Sequence, residues 1–159
     1  MLIVFGGLPG VGKTSIAREL ARGLDAVYLR IDSIEQALGG CTDDAGYRIA
    51  YAVASDNLRL GRTVVADSVN PLAITRDAWV GVAHKAGVRA IDIEVICSDA
   101  VEHRRRVESR ASDIAGLKLP TWEDVCARSY DPWQRERIVV DTGGQTVDQS
   151  VAFIRRAIT

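Results

Sequence analysis

The residues whose spacing speaks most directly of chemistry are Gly7-Leu8-Pro9-Gly10-Val11-Gly12-Lys13-Thr14, followed by Ser15. This is P-loop spacing, G-x-x-x-x-G-K-T. Its glycines let the backbone turn tightly with N–H groups facing inward, at the positive end of the helix that must follow. Such a cradle takes the phosphates of a nucleoside triphosphate. Lys13 is expected to bridge the β- and γ-phosphates, and the Thr14 hydroxyl to take one position on Mg²⁺. A glycine-rich turn that binds nothing is the alternative, but the motif sits where the mechanism needs it, directly after a first apolar run and opening an amphipathic stretch.

Ligands in open α/β sheets lie at the carboxyl ends of strands, so the residue after each apolar run matters. Two are aspartates. Asp32 follows the second run in Leu29-Arg30-Ile31-Asp32-Ser33, and Asp67 the third in Val64-Val65-Ala66-Asp67-Ser68. Phosphoryl transfer to a hydroxyl needs one carboxylate to accept the hydroxyl's proton and another to order the metal's water shell or the acceptor. Asp32 suits the first role and Asp67 the second. The bland alternatives are an N-cap at Asp32 and a turn plus cap at Asp67 to Pro71.

Arg106 and Arg110 stand four apart, hence on one helix face, and arginine pairs phosphate oxygens in a bidentate way. They precede 112–120, a charged, aperiodic stretch that reads as a mobile loop, so the span of about 104–120 is expected to act as a lid that excludes water. Arg104 and Arg105 read as a solvated face. His84 and His103 read as surface or capping residues, and Trp79, Trp122 and Trp133 as core. Cys41, Cys97 and Cys126 are odd in number and widely spaced, which suggests reduced, mostly buried thiols.

These groups need a frame, and the chain supplies one. Short, nearly continuous apolar runs (Leu2 to Phe5, Ala26 to Ile31, Thr63 to Ala66, Ala90 to Cys97, Arg137 to Val140) alternate with amphipathic stretches (Lys13 to Gly23, Ser33 to Leu38, Asp44 to Leu60, Pro71 to Lys85, Asp99 to Arg110, Thr121 to Tyr130, Val147 to Ile158). That alternation implies an α/β fold with a parallel sheet covered on both faces by helices. With 159 residues, 47% of them hydrophobic, the chain is expected to build one domain over 1–159. Twenty Lys and Arg nearly balance 21 Asp and Glu, so no global field exists to hold a long nucleic acid. Met1 to Phe5 is too short for a signal peptide or a membrane span, and a cytoplasmic location is expected.

On these motifs the chain resembles small P-loop kinases with a nucleoside-monophosphate-kinase-like fold, the ATP-binding group that includes chloramphenicol phosphotransferase, zeta-toxin-type, gluconate and polynucleotide kinases. The resemblance spans nearly the whole chain. It implies a P-loop NTPase three-layer α/β/α sandwich with a five-stranded parallel sheet of order 2-3-1-4-5. It also implies Asp32 as general base in Ile31-Asp32-Ser33-Ile34-Glu35-Gln36-Ala37-Leu38, Arg106 and Arg110 as lid arginines, and Thr142, in Val140-Asp141-Thr142, near the adenine. Polynucleotide kinases of the group carry an arginine where this chain has Glu35, although Asp67-Ser68-Val69-Asn70 with Arg76 and Trp79 is similar to their pattern.

The acceptor region is expected at about 33–61, where Glu35, Asp43, Asp44, Tyr47, Tyr51 and Asp56 would suit a hydroxylated molecule, cationic ones included, if several converge. The leading expectation is an ATP- and Mg²⁺-dependent kinase acting on a hydroxyl of a sugar-like, aminosugar-like or antibiotic acceptor, with Arg76 a further substrate contact. A 5′-hydroxyl kinase of a nucleotide or polynucleotide, and a nucleotide-binding regulator without transferase activity, are the alternatives.

Overall fold

The computed structural model describes residues 1–40 and 44–159. Cys41 and Asp43 therefore lie outside the described residues, and of the cysteines expected to be mostly buried, Cys97 is only partly buried and Cys126 is exposed. Among the described residues, five strands, β1 (Leu2–Gly6), β2 (Val27–Arg30), β3 (Val64–Asp67), β4 (Ala90–Ile96) and β5 (Ile138–Asp141), pair in the order β2-β3-β1-β4-β5. Every pairing is parallel. The described residues also form the helices that separate and follow them: α1 (Lys13–Gly23), α2 (Ile31–Ala37), α3 (Ala45–Arg59), α4 (Ala73–Lys85), α5 (Ala100–Ser109), α6 (Trp122–Ala127) and α7 (Val147–Ile158).

The apolar runs form strands because both faces of the sheet are covered. All of β1 and β3 is buried. Successive side chains point to opposite faces, so Ile3, Phe5 and Val65 pack with Ile16 and Leu20 of α1 and Ile154 and Ile158 of α7. Leu2, Val4, Val64 and Ala66 pack on the other side, with Ala50, Ala54 and Leu58 of α3 and Trp79 and Ala83 of α4. The result is the three-layer sandwich and the strand order that the resemblance implied. Trp79 is fully buried, with the Tyr51 ring edge-on at 4.6 Å. Trp122 and Trp133 are only partly buried.

Two element boundaries bear on the site. α2 starts at Ile31 rather than Ser33, which puts Asp32 in its first turn; the N-cap is Arg30, with no side-chain cap. Asp67 is the last residue of β3, and α4 starts six residues later behind Leu72, with the Ala73 amide held by Asp131. Neither aspartate is a helix cap. Thr121 and Asp124 do form a full capping box at α6, and Thr146 and Gln149 another at α7. Among the described residues, no helix is long and apolar enough to cross a membrane.

Candidate phosphate-binding and transfer site

The loop between β1 and α1 is held from behind. Its carbonyls are occupied in turn: Lys13 Nζ donates to Leu8 at 2.9 Å, His103 Nε2 lies 2.8 Å from the Pro9 oxygen, and Thr142 Oγ1 donates to Val11 at 2.8 Å. Carbonyls directed this way leave the amides of 10–15 for the concave face and the start of α1. Two glycines are dictated by contact as well as by conformation. A Cβ on Gly7 (φ +139°) would meet the Val95 carbonyl oxygen, part of a neighbouring strand, at 2.2 Å, and one on Gly10 (φ +85°) would meet Val107 Cγ2 at 2.4 Å. His103 is thus a buried prop of the phosphate loop, stacked edge-on with Trp122 at 5.1 Å, and not the surface residue the sequence suggested.

In front of the loop lies a cavity of about 630 Å³. Strand order explains its contents. β3 lies between β1 and β2, with Phe5 opposite Asp67 and Asp67 opposite Arg30. Moving outward from the phosphate loop, the strand ends therefore present Asp67 and then Arg30 with Asp32. Lys13, Thr14, Ser15, Asp32, Glu35, Tyr47, Asp67, Arg106 and Arg110 all line this cavity.

The electrostatics follow from burial. Lys13 is only 7% exposed, and desolvation pulls its pKa from 10.5 to about 8, although Asp67 and Asp32 both favour the charged form. The Tyr28 hydroxyl donates to Asp67 Oδ2 at 2.7 Å, and burial beside that carboxylate pushes the phenol's pKa far up, so it stays a donor. Glu35 is pushed up by burial and by Asp32, against a smaller opposing effect of Arg128. Arg110 is half-buried, and its Nε and Nη2 reach no partner. Burial lowers its pKa while Asp32 supports its charge. A buried guanidinium with idle donors beside a phosphate cradle is a ready anion ligand.

Other expected residues stand elsewhere or do other work. Arg106 lines the cavity but is tied down, with Nη1 to Thr142 Oγ1 at 2.8 Å and Nη2 to Glu102 at 2.5 Å. Thr142 is buried and joins Arg106 to the back of the phosphate loop, outside the cavity lining. Arg76 is corrected outright. It is 2% exposed, its Nε and Nη2 donate to the carbonyls of Asn70, Pro71 and Asp131, and its guanidinium stacks 4.1 Å from the Trp133 ring. It clamps the β3–α4 connection to 131–133 and does not line the cavity.

Tyr51 likewise packs on Trp79 and donates to the Thr75 carbonyl, behind Tyr47. Asp44, the N-cap of α3, and Asp56, on α3, are exposed and do not line this cavity. Arg104 and Arg105 are exposed, as expected. The loop at 112–120 lies along the cavity, where Leu117, Lys118 and Leu119 help line it. The sequence reading missed Arg18, Arg30, Tyr28, Asp113 and Arg128. The hint available was position alone: Arg30 ends a strand, and Arg18 lies on the first helix five residues after Lys13.

Comparison with known proteins agrees with this architecture. Lon protease 2 of Bdellovibrio bacteriovorus is 37% identical over 76 residues, which is 46% of this chain and 9% of that protein. The Lon protease of Heliobacterium modesticaldum is 39% identical over 74 residues, 45% of this chain and 8% of that protein. The chain spans about a tenth of the length of the curated relatives it matches.

Among solved structures, the APS kinase CysC of Mycobacterium tuberculosis, in complex with AMPPNP and APS, superposes with a TM-score of 0.75 at 21% identity, covering 99% of this chain and 96% of that one. A gluconokinase from Sinorhizobium meliloti 1021 gives 0.66 at 19% identity, covering 98% and 91%. Chaetomium thermophilum Kti12, in complex with ADP-AlF3, gives 0.66 at 22% identity, covering 100% of both. The fold is thus one that small P-loop kinases share. Residues 2–128, from β1 through α6, match the AAA domain family, and the chain belongs to that family of P-loop proteins.

Proposed function

We propose that this chain is an ATP- and Mg²⁺-dependent phosphotransferase that moves the γ-phosphate of ATP to a hydroxyl group of a small molecule. The observation that carries the reading is the shared cavity: Asp32, a carboxylate that caps no helix, opens onto the same space as Lys13, Thr14, Asp67 and the idle donors of Arg110. A site that only bound or sensed nucleotide would have no need of a base on the acceptor side. The names of the structural relatives, APS kinase and gluconokinase, are in keeping with it.

The amides of 10–15 and Lys13 would hold the β- and γ-phosphates. Asp32 would accept the proton of the attacking hydroxyl, and Arg110, with Arg106 once released from Glu102, would balance charge on the transferred group. Thr14 and Asp67 offer a hydroxyl and a carboxylate, hard oxygen donors that suit Mg²⁺ shared with phosphate oxygens. Tyr28 holds one Asp67 oxygen and leaves the other for such a ligand. When bound, the ion would neutralise phosphate charge; every other role falls to the chain's own residues.

The test is γ-labelled ATP with a panel of sugars, aminosugars, antibiotics, nucleosides and short oligonucleotides. Transfer to one class is expected, and Asp32→Asn should lose it by roughly 10²- to 10⁴-fold while retaining nucleotide binding. Full transfer by Asp32→Asn would remove Asp32 as the base. Tight ATP binding with no transfer across the panel would favour a regulator instead.

A further inference from the structure

The transfer site accounts for Lys13, Asp32, Asp67 and Arg110, but not for a second group of charges at the outer end of the same cavity. Arg30, the last residue of β2, and Arg18, on α1, converge on one carboxylate. Arg18 Nη2 donates to Asp113 Oδ2 at 2.6 Å, and Arg30 Nη1 reaches Oδ1 and Oδ2 at 2.9 and 3.0 Å. The Arg30 side chain is 13% exposed, and its Nε is buried with no partner. Asp113 comes from 112–120, far along the chain, and its own side chain is half exposed. The two arginines hold its carboxyl well below the usual range, at about 2.

A guanidinium so deeply placed needs an anion, because desolvated charge without a partner is costly. That anion is not the nucleotide's triphosphate. β3 lies between β2 and the strand that leads into the phosphate loop, and Arg30 stands two residues from Asp32, on the acceptor side of the cavity. Nor does Asp113 satisfy the pair as a core ion pair would. It is a half-exposed carboxylate on a loop, of the kind whose salt bridges contribute little, and it leaves Arg30 Nε unused. Tetrahedral oxyanions and carboxylates both match the arginine fork.

From this we infer that Arg18 and Arg30 form a subsite for an anionic group, a phosphate, sulfate or carboxylate, on the molecule whose hydroxyl faces Asp32, and that Asp113 fills it as a tethered stand-in. The inference rests on the phosphotransferase reading and narrows its acceptor to a hydroxylated anion. It also reverses the expectation of a cationic acceptor drawn from Glu35, Asp44 and Asp56. Binding there would displace Asp113, so acceptor entry and movement of 112–120 become one event.

The experiment uses the whole chain saturated with AMPPNP and Mg²⁺, so that the phosphate loop is already occupied. Inorganic phosphate is titrated in one arm and acetate in another, at constant ionic strength, and followed by calorimetry. The arm that responds more strongly identifies the oxyanion. Asp113→Asn, which keeps the shape and removes the competing charge, should bind that anion roughly tenfold or more tightly than the unaltered protein, and Arg30→Gln roughly tenfold or more weakly. Arg18→Gln, on the exposed face of α1, gives the same test if Arg30→Gln does not fold.

An Asp113→Asn titration that coincides with that of the unaltered protein, or an arginine variant that binds as well as it does, overturns the subsite. Nucleotide binding is measured first. Failure of the phosphotransferase reading then appears as no uptake of AMPPNP, or as ATP binding with no transfer to any member of the acceptor panel, and failure of the subsite as AMPPNP uptake with no anion response.

Discussion

Nucleotide binding to this site should take up a proton above pH 8, and Lys13 is the group that takes it. In the free protein its buried ammonium donates to the Leu8 carbonyl, and its pKa lies near 8 because burial outweighs the attraction of Asp67 and Asp32. A triphosphate placed against Nζ supplies opposite charge in a site of low dielectric, which should return the pKa at least to its ordinary 10.5. The difference, 10.5 − 8 = 2.5 units, corresponds to about 3 kcal/mol of coupling.

Below pH 8 both free and bound forms carry the proton, and affinity should be flat. Between pH 8 and 10.5 the free protein has lost a proton that the complex keeps, so Kd should rise about tenfold per pH unit, with uptake of about 0.5 proton at pH 8 and about 0.9 at pH 9. The nucleotide's own terminal phosphate ionises near pH 6 and does not intrude. Calorimetry of AMPPNP binding with Mg²⁺ at pH 9, in buffers of different ionisation enthalpy, reads the uptake directly, and Lys13→Arg should abolish it. A flat Kd from pH 7 to 9.5 with no buffer-dependent heat would refute the reasoning. Stability obeys the same linkage: in the window from 8 to 10.5 the unfolded chain holds the proton and the folded one does not. Lys13 therefore makes stability rise with pH across that window, and its full penalty is present below pH 8.

Gly7→Ala should cost about 3 kcal/mol or more, because the new Cβ meets a strand carbonyl that cannot step aside, and thermal unfolding should fall by roughly 6–12 °C. Gly81→Ala is the contrast: it lies within α4 with open space where its Cβ would go and should stabilise by about 0.5–1 kcal/mol; equal effects in the two variants would discount the contact argument. Arg76→Met strands the carbonyls of Asn70, Pro71 and Asp131 and should lower stability by about 2–4 kcal/mol in urea unfolding. Its AMPPNP affinity should stay within about threefold of the unaltered protein; a selective loss of that affinity without loss of stability would contradict its role as a clamp.

Local features of this chain were legible because their physics is local. The phosphate loop follows from glycine geometry at fixed spacing, and the strand order follows once five buried strands alternate with helices in a resembled family. Asp32 and Asp67 were found by the rule that strand ends face the ligand, and both line the cavity. The misassignments share a cause. Arg76 beside Trp79 looks the same in sequence whether its guanidinium meets a substrate or, as here, four backbone carbonyls and the rings of Tyr130 and Trp133, residues more than fifty positions away. His103 carried no neighbouring ligand in sequence, because its partner is the Pro9 carbonyl. The link that the Thr142 hydroxyl makes between the phosphate loop and Arg106 had no sequence signal for the same reason.

Acceptor chemistry was the least legible part for a stronger reason: its sign depends on which charges converge, and convergence is a property of the folded chain. The acidic residues of 33–61 suggested a cationic acceptor. Asp44 and Asp56 turn to solvent, and Glu35, which lines the cavity, is pushed toward its neutral form by burial and by Asp32. Meanwhile Arg18 and Arg30, 12 positions apart and unremarkable singly, are brought to one carboxylate 95 and 83 positions from them, respectively. The sheet thus sorts the charges by strand. On the proposed reading, the end of β1 would face phosphate through Lys13, the end of β3 would offer Asp67 to a metal, and the end of β2 would set a base and a cation two residues apart. Arg30 and Asp32 line one cavity, so on that reading the residue that would choose the acceptor and the residue that would activate it sit in one stretch of chain, Arg30-Ile31-Asp32.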